Sequence, residues 1–267
     1  MEGILRKALI ACAASAALMA AGSASAANLV TNGDFETNGG NGQVGFNTTI
    51  AGWSVPVPTV SDGSYTFVWN TGPGGGAISG TTADTTGANG ISGNVALYGP
   101  DNGGSNLPNT LTVSPDGGAF IGADPAYHNG TISQTITGLT NGAQYILTFD
   151  WAGAQQTGFT GATTEGWNVT LGGGATQTTG TVSTPSTGFN GWHTATMTFT
   201  ADGSSDLLSF LAIGGPSATQ PPFALLDSVS LVAAPVPEPA TWALMLLGVG
   251  ALGAGLRARR RELFAAA

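Results

Sequence analysis

The sequence predicts an all-β fold, a single β-sandwich of jelly-roll type, and three observations carry that expectation. Short β-prone runs recur between Gly, Asn and Asp turn signals. Gly, Thr, Ser and Asn dominate the central region, with 43 glycines in 267 residues, and no amphipathic helical stretch of normal length interrupts it. The patterning predicts strands over residues 131–137, 144–151, 167–171, 194–200, 207–213 and 224–232. Asn141-Gly142 marks a turn between the first two. Upstream, residues 38–45 and 71–93 read as glycine-rich loops.

Both ends differ from this region. Arg6 and Lys7 precede an apolar run from Ala8 to Ala21, and Ala24-Ser25-Ala26 has the small-x-small form of a cleavage site. Residues 1–26 therefore read as a secretory signal peptide, cut after Ala26 or one residue later. Cys12 falls inside it, so the mature chain holds no disulfide, thiol nucleophile or cysteine-bound metal. At the other end, Val236-Pro237-Glu238-Pro239 breaks the chain before 17 uncharged residues, 240–256, followed by Arg257, Arg259, Arg260 and Arg261. As a helix that stretch reaches about 26 Å, enough to cross a hydrocarbon core of about 30 Å. Arginines beyond it stay on the cytoplasmic side, which puts the preceding sandwich domain, residues 27–234, outside the cytoplasm.

Every Lys and Arg lies in these end segments, so the domain between them carries twelve carboxylates and no fixed cation. Nucleic acid is excluded as a partner, because phosphate binding needs cationic neutralisation. Anionic lipid surfaces are disfavoured for the same reason. A buried carboxylate here must rely on hydrogen-bond donors or a metal ion.

Two resemblances follow from particular residues. Pro237-Glu238-Pro239-Ala240-Thr241-Trp242-Ala243, the apolar stretch and Arg259, Arg260 and Arg261 together resemble the PEP-CTERM sorting signal, in its PEPxxWA variant, over residues 235–267. That resemblance implies an exosortase-type processing enzyme as partner, an inner-membrane precursor facing the periplasm, and delivery to the cell surface or extracellular matrix, commonly alongside exopolysaccharide. An ordinary C-terminal membrane anchor is the alternative reading of the same stretch. Within the domain, Asn28–Glu36, Ile132–Leu139 with Tyr145–Phe149, Trp192–Ala201 and Leu225–Leu231 resemble the first strand, central hairpin and closing strands of galactose-binding-like jelly rolls, the superfamily of many carbohydrate-binding modules.

That second resemblance implies a structural Ca2+ held by Glu36 and Asp227. Asp227 has an argument of its own. It alternates with Leu225, Val229 and Leu231, and a carboxylate among apolar neighbours needs a partner that no basic residue can supply. That Asp227 caps a turn or accepts backbone N–H bonds, with Glu36 in solvent, is the equal alternative. Among aromatics, Tyr145, Phe149, Trp151 and Trp167 alternate with apolar residues as core residues do, and Tyr65, Phe67 and Trp69 fit core or surface. Tyr98 opposes Val95 and Leu97, and Trp192 sits on the threonine-lined face of its strand, so these two are the candidate carbohydrate-binding platforms.

Nothing in the sequence selects a catalytic residue. His128 and His193 are the only histidines, and Asp124 near His128 reads as a turn. HExxH, GxSxG and glycine-rich phosphate loops do not occur. The expectation is a non-enzymatic surface or matrix protein with a carbohydrate-binding-like domain. A structural or adhesive protein without a defined sugar ligand is the alternative, and a glycoside-active enzyme a lesser one.

Overall fold

A computed structural model describes residues 26–56, 64–70, 81–82, 94–98, 115–217, 219–235, 245–255 and 257. The signal peptide lies outside them apart from Ala26. The chain forms two compact units, Met1–Ala233 and Ala234–Ala267.

The first unit is a β-sandwich. Its strands are β1 (Gly42–Gln43), β2 (Thr66–Asn70), β3 (Thr81–Thr82), β4 (Asn94–Val95), β5 (Ala119–Ala123), β6 (Ile132–Thr137), β7 (Gln144–Gln155), β8 (Thr163–Leu171), β9 (Gln177–Thr184), β10 (Phe189–Thr200), β11 (Ser205–Gly215) and β12 (Pro222–Ala233). One sheet runs β1-β2-β5-β12-β7-β10 and the facing sheet β6-β11-β8-β9, while β3 and β4 pair separately. Every described pair of strands is antiparallel.

Period-two alternation builds the space between the sheets. Leu147, Phe149, Trp151, Met197, Phe199 and Leu226 point inward from the six-stranded sheet, and Ile132, Ile136, Trp167, Val169, Leu208 and Phe210 from the other. Trp167 joins the layers: it is fully buried, packs edge-on against Phe210, and donates its indole N–H to the Leu225 carbonyl at 3.0 Å. The packing roles expected for Tyr145, Phe149, Trp151 and Trp167 are met.

Three expectations need correction. β6 and β7 do not form a hairpin; they belong to different sheets. Both carry apolar residues for one core, so the Gly138–Gly142 connection arches between layers, with both glycines at positive φ and the Tyr145 hydroxyl accepting the Thr140 N–H at 2.9 Å. Asn28–Glu36 is not a strand. Asn32 and Phe35 take positive φ, and the Asn32 side chain bonds Thr37 and Ala51 backbone groups, which folds the segment into a turn. Its Leu29 N–H still meets the Leu231 carbonyl at 2.9 Å, and Val30 and Phe35 enter the core. Finally, Leu225, Asp227, Val229 and Leu231 do not share one face. The register shifts between Asp227 and Ser230, with Ser228 at φ 54, so Val229 and Leu231 point into the core while Leu225 joins a second cluster.

Candidate functional site

The second cluster covers the other face of the six-stranded sheet. Register puts Tyr65, Phe67 and Trp69 of the β2 segment, Phe120 of β5, Phe223 and Leu225 of β12, Ala152 and Ala154 of β7 and Phe189 of β10 on it. Val95 and Leu97 are buried in the same cluster. Tyr65, Phe67 and Trp69 are therefore packing residues.

Trp192 lies at the border of this cluster. It is half-buried, with its ring edge-on to Phe120 at 5.4 Å and to Phe189 at 6.5 Å. Beyond it the face turns polar. Thr194, Thr196 and Thr198 of β10 are exposed, Thr148 and Asp150 stand opposite on β7, and the Thr194 hydroxyl donates to Asp150 at 2.7 Å. An aromatic ring bordering a hydroxyl- and carboxylate-lined surface offers a stacking plane beside hydrogen-bonding groups. Tyr98 is half-buried near the far end of β7, where its N–H bonds the Gln155 carbonyl at 2.9 Å and its hydroxyl accepts the Gly158 N–H at 3.4 Å. Trp192 pairs with Ala152 and the Tyr98 N–H with Gln155. The two are thus separated by roughly three residues of β7, on the order of 10 Å along it.

Glu36 and Asp227 differ in exposure. Asp227 is fully buried and opposes Asp150 across β12 and β7, and its Oδ1 accepts the Ser228 N–H at 2.7 Å. Glu36 is exposed, and its Oε1 accepts the Ala119 N–H at the start of β5 and occupies the place a Gly118 Cβ would fill. Since β5 runs beside β12 in register, Glu36 reaches the strand next to Asp227. Two carboxylates at adjoining strands are of the hard-oxygen donor type that calcium accepts. Among the described residues no group of three acidic, histidine or cysteine side chains gathers.

Sequence reasoning missed a third cluster. Asp124, just after β5, is 1 % exposed and Glu165, on β8, is fully buried. Burial pushes the Asp124 carboxyl up to about 8; the Ala126 and Tyr127 N–H groups oppose that shift, and the Glu165 charge adds to it. Burial likewise pushes Glu165 up to about 7, opposed by the Thr163 and Thr184 hydroxyls. Burial, then the Asp124 charge, raises the Tyr65 phenol. Asp124 does cap a turn, accepting the Ala126 N–H at 2.7 Å, whereas His128 packs on Tyr127 at 4.2 Å. The exposed aromatic missed by the sequence is Phe46, 45 % exposed on a shallow cleft with Asn47, Thr48 and Thr49. Turn residues around it gave no alternation to read.

These raised values fix a pH dependence. Both carboxyls bind protons more tightly folded than unfolded, so their contribution is fully present below about pH 4 and is lost as pH rises toward about 8. In chelator-containing buffer, melting should occur at a lower temperature at pH 8 than at pH 5. Asp124→Asn and Glu165→Gln should each shrink that difference; an unchanged difference in both variants would exclude these carboxyls as its source.

Of the sorting-signal residues, Pro237, Glu238, Pro239, Trp242, Arg259, Arg260 and Arg261 lie outside the described residues. Residues 245–255 of the second unit are helical. No helix among the described residues is long and apolar enough to cross a membrane.

Comparison with known proteins gave two family matches. The family described as protein of unknown function (DUF642) matches residues 91–231, and the PEP-CTERM protein-sorting motif matches residues 235–261. No curated protein matches the chain. Similar solved structures include TmCBM61 in complex with beta-1,4-galactotriose, at 14 % identity, covering 78 % of this chain and 99 % of that one with a TM-score of 0.38. A putative sugar binding protein from Bacteroides thetaiotaomicron is similar at 11 % identity, covering 78 % and 100 %, with a TM-score of 0.35. The N-terminal cellulose-binding domain of Cellulomonas fimi beta-1,4-glucanase C is similar at 18 % identity, covering 56 % and 94 %, with a TM-score of 0.26.

Proposed function

The chain belongs to the DUF642 family and ends in a PEP-CTERM sorting motif, and from that premise we propose that it is an exported, non-enzymatic protein of the cell surface or matrix, processed by an exosortase-type enzyme and associated with exopolysaccharide. The observation that carries this reading is the junction at residue 234. The last sandwich strand ends at Ala233 and the sorting motif begins at residue 235, so the address is fused directly to one folded module.

The glycan side of the proposal rests on the outer sheet face. Trp192 supplies the ring, and Asp150, Thr148, Thr194 and Thr196 supply acceptors and donors for hydroxyls. A domain with twelve carboxylates and no Lys or Arg repels anionic polymers, so the glycan class it suits is neutral. A structural Ca2+ at Glu36 and Asp227 belongs to the same proposal. The reading is non-catalytic because Asp124 and Glu165, whose raised values would suit acid–base work, are shut away from any polymer.

Affinity electrophoresis in neutral polysaccharide gels tests the glycan reading. Trp192→Ala should weaken retardation about tenfold or more, as loss of a central aromatic anchor does. Thr196→Ala, at an exposed site with little packing to lose, should weaken it without moving the melting temperature. Retardation unaffected by either change would reject this face and favour a structural role without a defined sugar.

A further inference from the structure

The buried polar groups left without a hydrogen bond are not scattered. Six such side-chain atoms occur among the described residues, and five belong to Tyr65 (Oη), Asp124 (Oδ2), Gln156 (Oε1), Thr163 (Oγ1) and Glu165 (Oε1). None of the five residues is more than 3 % exposed. Buried polar atoms are almost always satisfied, so a run of orphans in one neighbourhood marks a missing partner.

The topology gathers them. Tyr65 immediately precedes β2, Asp124 immediately follows β5 and Gln156 immediately follows β7, while Thr163 and Glu165 open β8. The Asp124 N–H bonds the Tyr65 carbonyl at 3.1 Å. Gln156 lies beside the Tyr65 hydroxyl and Thr163 beside the Glu165 carboxylate, near enough to moderate their acidity but without hydrogen-bond geometry. Glu165 faces Gly153 of β7, whose missing side chain leaves room for its Oε2 and for Asn190 and Thr184. That second oxygen is held by the Thr184 hydroxyl, and Asp124 Oδ1 by the Ala126 N–H. Each carboxylate is thus anchored through one oxygen and presents the other.

We propose that Asp124 and Glu165, with Gln156, Thr163 and Tyr65 around them, form a buried site for a divalent cation of the calcium type, distinct from Glu36 and Asp227. Once these two carboxyls are ionised, the domain has no Lys or Arg to balance them, so a bound cation is the available compensation. The donor set is all hard oxygen: two carboxylates, an amide carbonyl and hydroxyls, the ligands Ca2+ accepts at variable number and geometry. Mg2+ fits less well, since it keeps several waters and demands near-octahedral order. Water would satisfy the neutral groups and protons can neutralise the carboxyls, but neither balances the two charges once the carboxyls ionise, whereas a cation does. Binding would tie β5, β7 and β8, and so both sheets, at one end of the sandwich.

Calorimetry and thermal melting of the chelator-stripped full chain, titrated with CaCl2 at pH 8, test this. Calcium at about a hundred times its dissociation constant should raise the melting temperature by roughly 5–10 °C. The isosteric pair Asp124→Asn with Glu165→Gln should abolish one class of binding heat, yet melt no lower than stripped wild type, since it removes the buried charges. Glu36→Gln with Asp227→Asn should retain that class. Absence of calcium binding by the stripped wild type would overturn the proposal. So would its full retention in the Asp124–Glu165 variant, which would assign all binding elsewhere.

Discussion

Replacing Trp167 by alanine should destabilise the sandwich by about 3–5 kcal/mol, the range for removing a fully buried Trp from a core. Trp167 has no solvent exposure, packs on Phe210 and donates to the Leu225 carbonyl at 3.0 Å, so the change removes both a large volume and the only indole hydrogen bond described between the two sheets. Loss of the indole hydrogen bond adds about 0.5–1.5 kcal/mol. Against a total stability of about 5–15 kcal/mol this is a large fraction. Urea unfolding followed by circular dichroism measures it. Leu207→Ala, at a residue 49 % exposed on β11, should stay within about 0.5 kcal/mol as the contrast. Equal losses at the two positions would contradict the assignment of Trp167 to the layer interface.

Replacing Pro237, Glu238 and Pro239 together by alanine should abolish processing without touching the sandwich. The PEP-CTERM match spans residues 235–261 and the compact β unit ends at Ala233, so the substituted residues lie beyond the folded domain. Fractionation should move the protein from the surface or medium to the inner membrane, as a larger species retaining Arg257 to Arg261. Unchanged distribution and size would reduce this motif to a linker before an ordinary anchor.

Much of the sandwich was legible because its strands have one wet face and one dry face. Leu208, Phe210 and Ala212 alternate with more exposed residues, and the Thr194–Thr200 run alternates Thr with Ala, Met and Phe, so β11 and β10 are readable from period-two patterning. β5 was missed because Ala119–Ala123 is buried on both faces and built partly from small residues. β9 was missed for the opposite reason, since Gln177–Thr184 holds one apolar residue and is mostly open to solvent. The bulge after Asp227 could not be read from spacing, because one extra residue inverts every later side chain.

The site followed the same logic. Trp192 on the threonine face was visible in local alternation, whereas Asp227 is buried although the alternation used to place it fails at the bulge. Asp124 and Glu165 were not visible, because strand order and not spacing brings β5, β7 and β8 to one end of the sandwich. Absence of every Lys and Arg from the domain was the available signal that any buried carboxylate would matter.

The central claim is that a sorting signal delivers and then releases one acidic β-sandwich at the cell surface. Intact-mass spectrometry of the surface or secreted form tests it most directly. The account predicts a chain that begins at Ala27 or Asn28, contains the sandwich through Ala233, and lacks Arg257 to Arg261. A chain retaining the arginine-rich end at the surface would contradict it.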